Sequence, residues 1–420
     1  MPEKPKRQIP VRPNLDQLRR QAKELLRSIR RGDPEAVAEL RQYHPETIEP
    51  AAATLMDAQL VLARSYGIPS WPRLVTACQM THAIWEDDLE TVRKLVRRDP
   101  ELLVEDALGV KGNWGPPMSY AANVGQNDII AMLREMGATD VEYAFARACL
   151  RGKLESARQL YAMGARPEPG IVMGPCETVN GDGLAFQLEL GAELADGQGD
   201  RLAPLALILE TYSRNPVGKH RCLEIVEEQG ITLPDTPPMA VHRGRIDLLE
   251  QHLQRDPGLF SRTFSMDEIF PRSLGCHEDR ALALHGTPLN GATLLHLCVD
   301  YDEIEIARWM LDRGAEVDAK AAVDGDGFGG HTALFGCVVS QSHLCGRQRD
   351  GIFAQLLLDH GADATVRASL RKELRFVDDE TLHEYRDVTP LEWGEAFQEK
   401  RWVNRAAMRR IAGSIHQEDA

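Results

Sequence analysis

The sequence has no long apolar run and few aromatic residues. Aromatics make up 6% of its 420 residues, and no stretch of about 18 apolar residues occurs, so we predict no membrane-spanning helix. The N-terminus is basic and lacks the apolar core of a secretory signal. Eight cysteines stand singly without a CxxC pair, a pattern that favours reduced thiols over a disulfide framework. From these absences we predict a cytoplasmic protein with no membrane partner.

Motifs of the common enzyme classes are also missing. The sequence contains no GxSxG elbow, no Walker phosphate loop and no HExxH pair. DGDGFGG at 324–330 carries two carboxylates but lacks the final acid of an EF-hand loop, and we interpret it as a hairpin between repeats. We therefore predict that the protein is not an enzyme and has no catalytic residue, no metal site and no cofactor.

Basic residues outnumber acidic ones at the N-terminus and are outnumbered by them in the rest of the chain. The chain has a formal net charge of −15, yet its first 31 residues hold ten Lys or Arg against three Asp or Glu, which leaves −22 on residues 32–420. Such an acid excess disfavours non-specific binding to nucleic acid or to anionic membranes. Contact with nucleic acid through the basic N-terminal arm is therefore kept only as an alternative.

An internal repeat runs through much of the chain. A pair of small residues is followed, counting from its first member, by glycine at +4, an acid at +7 and apolar residues at +9 and +12; aspartate replaces the glycine in two copies. The copies begin at Ser28, Ala83, Ala121, Ala148, Ala240 and Cys298. Small residues let a first helix pack closely, glycine permits a left-handed turn, and the acid suits the start of a second helix. The pattern predicts helical hairpins that stack on their neighbours.

The repeat resembles that of the ankyrin-repeat family. Thr293-Leu-Leu-His296, followed by DRGAEVDAK, is similar to the family's TPLH opening and GAD-type exit. Similar openings begin at Ala203, Thr332 and Thr389. The resemblance implies a binding architecture rather than a chemistry. It also implies that His296 hydrogen-bonds the backbone of a neighbouring loop.

The N-terminal region carries a second resemblance. LDQLRRQAKELLRSIRRGDPEAV at 15–37, with DAQLVLARSYGIPSWPRL at 57–74, is similar to the leader of a group of bacterial ankyrin-repeat proteins. Together the two resemblances cover most of residues 14–412. They imply a bacterial ankyrin-repeat protein.

We predict an all-α, ankyrin-like solenoid of roughly ten helical-hairpin units, several of them degenerate, with long inter-repeat loops and in one continuous curved domain. Residues 169–183 stand where a first helix should be, yet hold four glycines and two prolines; a hinge, a ligand pocket and an eroded repeat all remain open. The predicted segments are a basic flexible tail (1–13), an N-terminal helical capping region (14–80), ankyrin-like repeats (81–260), an insertion (261–288), and C-terminal ankyrin-like repeats with a cap (289–415).

Aromatic and carboxylate residues lie where inter-repeat loops enter the predicted first helices, the part that lines the concave face in ankyrin arrays. Aromatic anchors framed by polar groups are typical of interface hot spots. We predict that these residues bind a basic or polar segment of another protein on an acidic concave face, with packing between repeats as the alternative for each one singly. They are Trp85, Asn113, Trp114, Tyr120, Asp300, Tyr301, Asp324, Asp326 and Phe328.

The C-terminal third is rich in histidine and cysteine, which leaves a ligand- or metal-responsive sensor as a second hypothesis. The candidates are His285, His296, His331, His343, His360, His383, Cys276, Cys298, Cys337 and Cys345. None of them has the paired spacing of a zinc site. The sequence indicates no oligomeric state.

Overall fold

The computed structural model describes residues 7–277, 286–340, 350–374 and 380–418. The chain divides into two compact units, an N-terminal unit (residues 1–167) and a C-terminal unit (residues 168–420). The repeats suggest one continuous array, whereas the division falls beside the stretch in which glycine and proline interrupt them. The predicted segment boundaries remain predictions.

The described part of the N-terminal unit contains nine α-helices. They are α1 (Leu15–Arg30), α2 (Pro34–Tyr43), α3 (Leu55–Ser65), α4 (Trp71–Trp85), α5 (Leu89–Arg98), α6 (Pro117–Val124), α7 (Asn127–Glu135), α8 (Val141–Leu150) and α9 (Leu154–Ala162). Helix α1 is amphipathic and buries Leu18, Ala22, Leu25 and Ile29, so its basic residues occupy mainly the opposite, solvent-facing side.

The described part of the C-terminal unit is also mainly helical. Its helices are α10 (Met173–Glu177), α11 (Gly181–Glu189), α12 (Ala203–Glu210), α13 (Pro216–Glu228), α14 (Pro237–His242), α15 (Ile246–Arg255), α16 (Met266–Ile269), α17 (Leu294–Tyr301), α18 (Ile304–Asp312), α19 (Ala333–Val338), α20 (Ile352–Asp359), α21 (Pro390–Ala396) and α22 (Arg405–Glu418). One hydrophobic core extends through this unit from Val172 to Ile411. Across the described ranges of both units, no helix is long and apolar enough to cross a membrane.

A β-hairpin is the one departure from the predicted all-α fold in the described residues. Strands β1 (Ala368–Glu373) and β2 (Leu382–Val388) pair antiparallel, with a bulge between Ala368 and Leu370. Burial alternates along β1 with the period of two that a half-buried strand requires. The fold is mostly helical, as the repeat predicts, and the hairpin lies where the sequence shows only a long loop.

The turns between paired helices follow the sequence repeat. Gly125 ends α6 with φ of +96°, and its amide donates to Ala121 O at 2.8 Å. Where the repeat has aspartate instead of glycine, Asp87 and Asp302 adopt the same left-handed region, with φ of +57° and +63°. Aspartate tolerates this conformation better than most residues. The turn geometry was therefore predictable from local sequence.

Replacing Gly125 with alanine should lower the free energy of unfolding by about 1 to 2 kcal/mol, because a Cβ is unfavourable in the left-handed region. The added Cβ would also lie 3.1 Å from Lys153 Cδ. Gly125→Asn is the matched control, since it adds the same Cβ on a residue that tolerates this backbone. It should cost less than alanine in urea denaturation followed by circular dichroism. Equal losses would contradict the conformational explanation.

Residues 169–183 form a short, irregular first helix. After a turn with φ of +79° at Gly170, α10 spans only Met173–Glu177. A Cβ on Gly170 would lie 2.5 Å from the amide nitrogen of Gly197, so the backbone passes too closely for another residue. The helix packs on α11 and α12 and Cys176 is fully buried. This stretch therefore holds a shortened helix whose apolar side chains join the core of the unit.

Candidate functional site

A tight hairpin over residues 321–331, called the finger hairpin below, lies between α18 and α19. Ala321 N donates to His331 O at 2.9 Å. Near the tip, Asp324 N donates to Phe328 O at 2.8 Å and Asp324 Oδ1 accepts from Phe328 N at 2.9 Å. The interpretation of DGDGFGG as a hairpin between repeats is confirmed.

Successive loops of the C-terminal unit are joined edge to edge by backbone hydrogen bonds. The bonds are Phe264 N to Ala292 O, Ala322 N to Gly291 O and Gly329 N to Ser369 O, at 2.9, 2.7 and 2.7 Å. At Gly329 the approach is so close that a Cβ would lie 2.0 Å from Ala322 O. The loops around residues 264, 291, 322, 329 and 369 thus form a ribbon that continues into β1 and β2.

Arg371 of β1 clamps the two carboxylates of the finger hairpin. Its Nη2 lies 2.7 Å from Asp324 Oδ2, and its Nη1 lies 2.9 Å from Asp326 Oδ2. Hydrogen bonding from the Phe328 amide, assisted by the charge of Arg371, holds the pKa of Asp324 below its ordinary value. The Asp324 carboxylate is therefore ionised at neutral pH. Asp326 keeps 69% of its side-chain surface exposed.

Phe328 turns its ring inward, beneath two guanidinium groups. It is 5% exposed, with Arg371 Cζ 4.8 Å and Arg386 Cζ 4.3 Å from the ring centroid. Cations over an aromatic face are attracted by its quadrupole. Phe328 thus fixes the position of both arginines, and little of its ring is left for a partner to contact.

A cleft of about 580 Å³ opens between the ribbon's loops, and we call it the first cleft. Its walls include the apolar side chains of Phe264, Met266 and Leu370, and the clamped pair of Asp324 and Arg371. Apolar walls with a few placed polar groups are typical of binding pockets of this size. The structure brings two of the predicted residues, Asp324 and Phe328, to this cleft.

A second cleft, of about 500 Å³, shares Phe264 with the first in its lining. Across both linings there are five carboxylates (Asp235, Asp256, Asp267, Glu268 and Asp324) and three guanidinium groups (Arg255, Arg262 and Arg371). Many of these charges are already paired; for example, Arg262 Nη2 lies 2.7 Å from Glu268 Oε1. The excess is acidic, as the charge of the sequence outside its first 31 residues suggests.

Two buried histidines connect neighbouring repeats beside the first cleft. His296 Nε2 donates to His331 O, and His331 Nε2 donates to Pro288 O, both at 3.0 Å. The role of His296 implied by the family resemblance is confirmed. Burial lowers the pKa of His296 to about 4, and burial together with the nearby His296 lowers the pKa of His331 to about 3. Both imidazoles are neutral at pH 7.

Asp300 is an internal residue, 4% exposed. Its Oδ2 accepts a hydrogen bond at 2.8 Å from Arg214 Nη2, and its backbone oxygen accepts another from Arg214 Nε at 2.7 Å. The Arg214 side chain is itself fully buried. Arg214 lies in the loop between α12 and α13 and contacts a residue of α17 that is 86 positions away, a long-range pair that the sequence did not indicate.

Tyr301 is also internal, 2% exposed, and it packs against a buried amine. Lys219 Nζ lies 3.4 Å from the Tyr301 ring centroid and donates to His242 Nδ1 at 2.7 Å. His242 Nε2 lies 3.1 Å from Ile269 O, so Nε2 carries the proton and Nδ1 accepts. Burial lowers the pKa of Lys219 well below its ordinary value. A partner cannot reach Asp300 or Tyr301 in this conformation.

In the N-terminal unit the structure brings three predicted aromatics together. Trp85 Nε1 donates to Tyr120 Oη at 2.8 Å, and the rings of Trp114 and Tyr120 lie 4.9 Å apart. Tyr120 has no exposed surface, and burial raises its pKa to about 12. Trp85 is 36% exposed, and Asn113 is exposed beside Trp114. Only the edges of this cluster are open to a partner.

The described residues contain no group of three or more His, Cys, Asp or Glu side chains arranged to hold a metal ion. His285, His343 and Cys345, on which part of the sensor hypothesis depends, lie outside the described residues. Cys276, Cys298 and Cys337 are buried, and burial raises their pKa values. Thiols in such surroundings are unreactive.

Comparison with known proteins identifies the repeat. A family model described as Ankyrin repeat matches residues 290–322, which contain α17 and α18. The chain thus contains an ankyrin repeat at residues 290–322. Among solved structures, the human ASB11 ankyrin repeat domain matches at 14% identity over 71% of this chain and 97% of that chain, with a TM-score of 0.26. No curated protein matches the sequence.

Proposed function

We propose that this protein is a non-enzymatic scaffold or regulator that binds a basic or polar segment of another protein along the two clefts of its C-terminal unit. Ankyrin repeats are protein-interaction modules. The observation that supports the proposal is a pair of clefts that share Phe264 in their linings and carry an excess of carboxylates. Acidic grooves steer and orient basic partners.

Of the nine residues predicted to bind, the proposal keeps those with accessible surface. In the C-terminal unit these are Asp324 and Asp326, whose pairing with Arg371 an incoming cation would rearrange. Trp85, Asn113 and Trp114 form a second, separate candidate surface in the N-terminal unit. We assign Tyr120, Asp300, Tyr301 and Phe328 a packing role, since each is buried.

A photo-crosslinking residue at Val323 tests the proposal, because Val323 lines the first cleft and is 61% exposed. We expect it to capture a specific polypeptide from cell lysate, with a yield that falls as salt rises. The matched control is the same residue at Val217, which is 74% exposed in the same unit but lines neither cleft. Identical adducts at both positions, or a co-purifying metal or small molecule in place of a polypeptide, would contradict the scaffold function.

Nucleic-acid contact through the basic arm stays an alternative prediction. Arg20, Lys23 and Arg27 are exposed on α1, whereas its buried stripe packs against α3. Reversing these three charges tests the alternative better than deleting the arm, because deletion would uncover the core. Retention on DNA or RNA that falls steeply with salt and is lost in the reversed variant would favour nucleic acid.

A further inference from the structure

Strand β2 ends the ribbon of loops and presents an unoccupied edge. Leu374 N donates to Thr381 O at 3.2 Å, and peptide groups alternate in direction along an antiparallel ladder. The peptide groups of His383 and Tyr385 therefore point toward β1, while those of Leu382 and Glu384 point away. Within the described part of the chain, these two outward peptide groups have no hydrogen-bond partner.

The side chains along this edge are also uncovered. Leu382 is 56% exposed, and the side chains of Glu384 and Arg386 are 45% and 59% exposed. An edge with free donors and acceptors is a template for pairing with another strand. The order of charged residues along β2 indicates which strand could pair with this edge.

The sequence of β2, Leu-His-Glu-Tyr-Arg-Asp-Val, is complementary to itself in the antiparallel direction. Pairing two copies about Tyr385 places Glu384 opposite Arg386 of the second copy. The pairing ends there, because Val388 lies beyond the bulge and pairs with Ala368 of β1. Centring the pair one residue earlier or later would place Glu384 opposite Glu384, or Arg386 opposite Arg386. Opposite charges across a strand pair stabilise it and like charges destabilise it.

We propose that two copies of this chain associate through antiparallel pairing of β2, centred on Tyr385. Glu384 and Arg386 lie on one face of the strand and are paired within the chain at 3.1 Å. Two-fold symmetry would extend that pair into a square of four alternating charges. Of the three registers, only the one centred on Tyr385 places opposite charges across from each other. The charge order of β2 therefore fits a second copy of β2, and we take the occupant of the edge to be a second copy rather than an unrelated segment.

The association should be weak. Asp387, with φ of +49°, lies at the bulge that ends the regular part of β2, and bulges bend an edge away from further pairing. So short an interface buries far less surface than a stable dimer, and we expect a dissociation constant of about 10 to 100 µM at physiological salt. The net charge of −15 on each copy opposes association at low salt.

Sedimentation of the full chain from about 1 to about 500 µM tests the proposal. We expect a monomer–dimer equilibrium in which Arg386→Glu raises the dissociation constant at least about tenfold, because glutamates then face each other. The double variant Glu384→Arg/Arg386→Glu restores the opposite charges and should return the constant to within about threefold of the original. A chain that stays monomeric, or a dimer that Arg386→Glu leaves unchanged, overturns the proposal.

Hydrogen exchange locates the contact. Protection of the Glu384 amide should rise with protein concentration, whereas the amides of His383 and Tyr385, which already face β1, should change little. Circular dichroism must show that Arg386→Glu stays folded, since Arg386 also lies over Phe328. A dimer whose β2 amides gain no protection forms elsewhere, and that result overturns the proposal.

Discussion

Replacing Asp300 with alanine should lower the free energy of unfolding of the C-terminal unit by about 3 to 5 kcal/mol, because removing one partner of a buried ion pair leaves the other charge uncompensated. The Arg214 guanidinium has no exposed side-chain surface and lies 2.8 Å from the Asp300 carboxylate. Urea denaturation followed by circular dichroism gives the loss, and hydrogen exchange in peptides from α17 assigns it to this unit.

Two variants separate the ion pair from other effects of the substitution. Arg214→Met combined with Asp300→Ala removes both charges and should cost less than Asp300→Ala alone. Glu90→Ala breaks the exposed pair with Arg93 in the N-terminal unit and should cost under about 1 kcal/mol. A loss below about 1 kcal/mol for Asp300→Ala would show that the buried pair does not support this unit.

Acidification from pH 6.5 to pH 4 should destabilise the C-terminal unit. Unfolded histidine titrates near its ordinary pKa of 6.5, whereas burial lowers the pKa of His296 to about 4 and of His331 to about 3 in the folded unit. The unfolded chain therefore binds more protons in this window, and stability is lost as pH falls. Each buried histidine contributes about 1.4 kcal/mol per pH unit, or about 3 kcal/mol for His296 by pH 4.

One buried carboxylate acts in the opposite direction. Burial raises the pKa of Glu303, so its protonation in the folded state adds stability as pH falls. His331→Gln separates the two contributions, because glutamine keeps a donor for Pro288 O but cannot titrate. We expect its unfolding free energy to fall less steeply between pH 6.5 and 4, by up to about 1.4 kcal/mol per pH unit.

The control for the acid effect is His82→Gln, which removes an exposed histidine of the N-terminal unit. It should leave the pH dependence of the C-terminal unit unchanged. Urea denaturation at intervals of about one pH unit, with hydrogen exchange in α17, measures all three proteins. If wild type and His331→Gln lose stability in parallel, the acid sensitivity arises from other groups.

Local sequence predicted the helical hairpins well. The spacing of small residues, turn glycine and following acid places α6 with α7, α8 with α9 and α17 with α18. Even the aspartates at the turn position adopt the left-handed region. These features depend on contacts within about one repeat. Close helix packing and turn geometry are set there by residues that are near each other in the sequence, so a sequence pattern can predict them.

The candidate site was only partly predictable. The finger hairpin and its carboxylates were recognisable because glycine and aspartate mark tight turns. The sequence did not predict the roles of Arg371 and Arg386. They lie on β1 and β2, and two short strands that pair with each other inside one long loop give only a weak alternation of polar and apolar residues. Nothing in the sequence of the short loop between α12 and α13, or in that of α13 itself, reveals that Arg214 and Lys219 are buried.

The sequence by itself determined that the chain is built from stacked helical hairpins of the ankyrin type, since the repeat carries its own packing and turn rules. Tertiary structure decided which aromatic and acidic residues remain at the surface. Asp300 and Tyr301 look like binding residues in their own helix, yet they are buried by residues from α13 and the loop before it. Exposure depends on partners distant along the chain, and so it is settled only when the repeats are stacked.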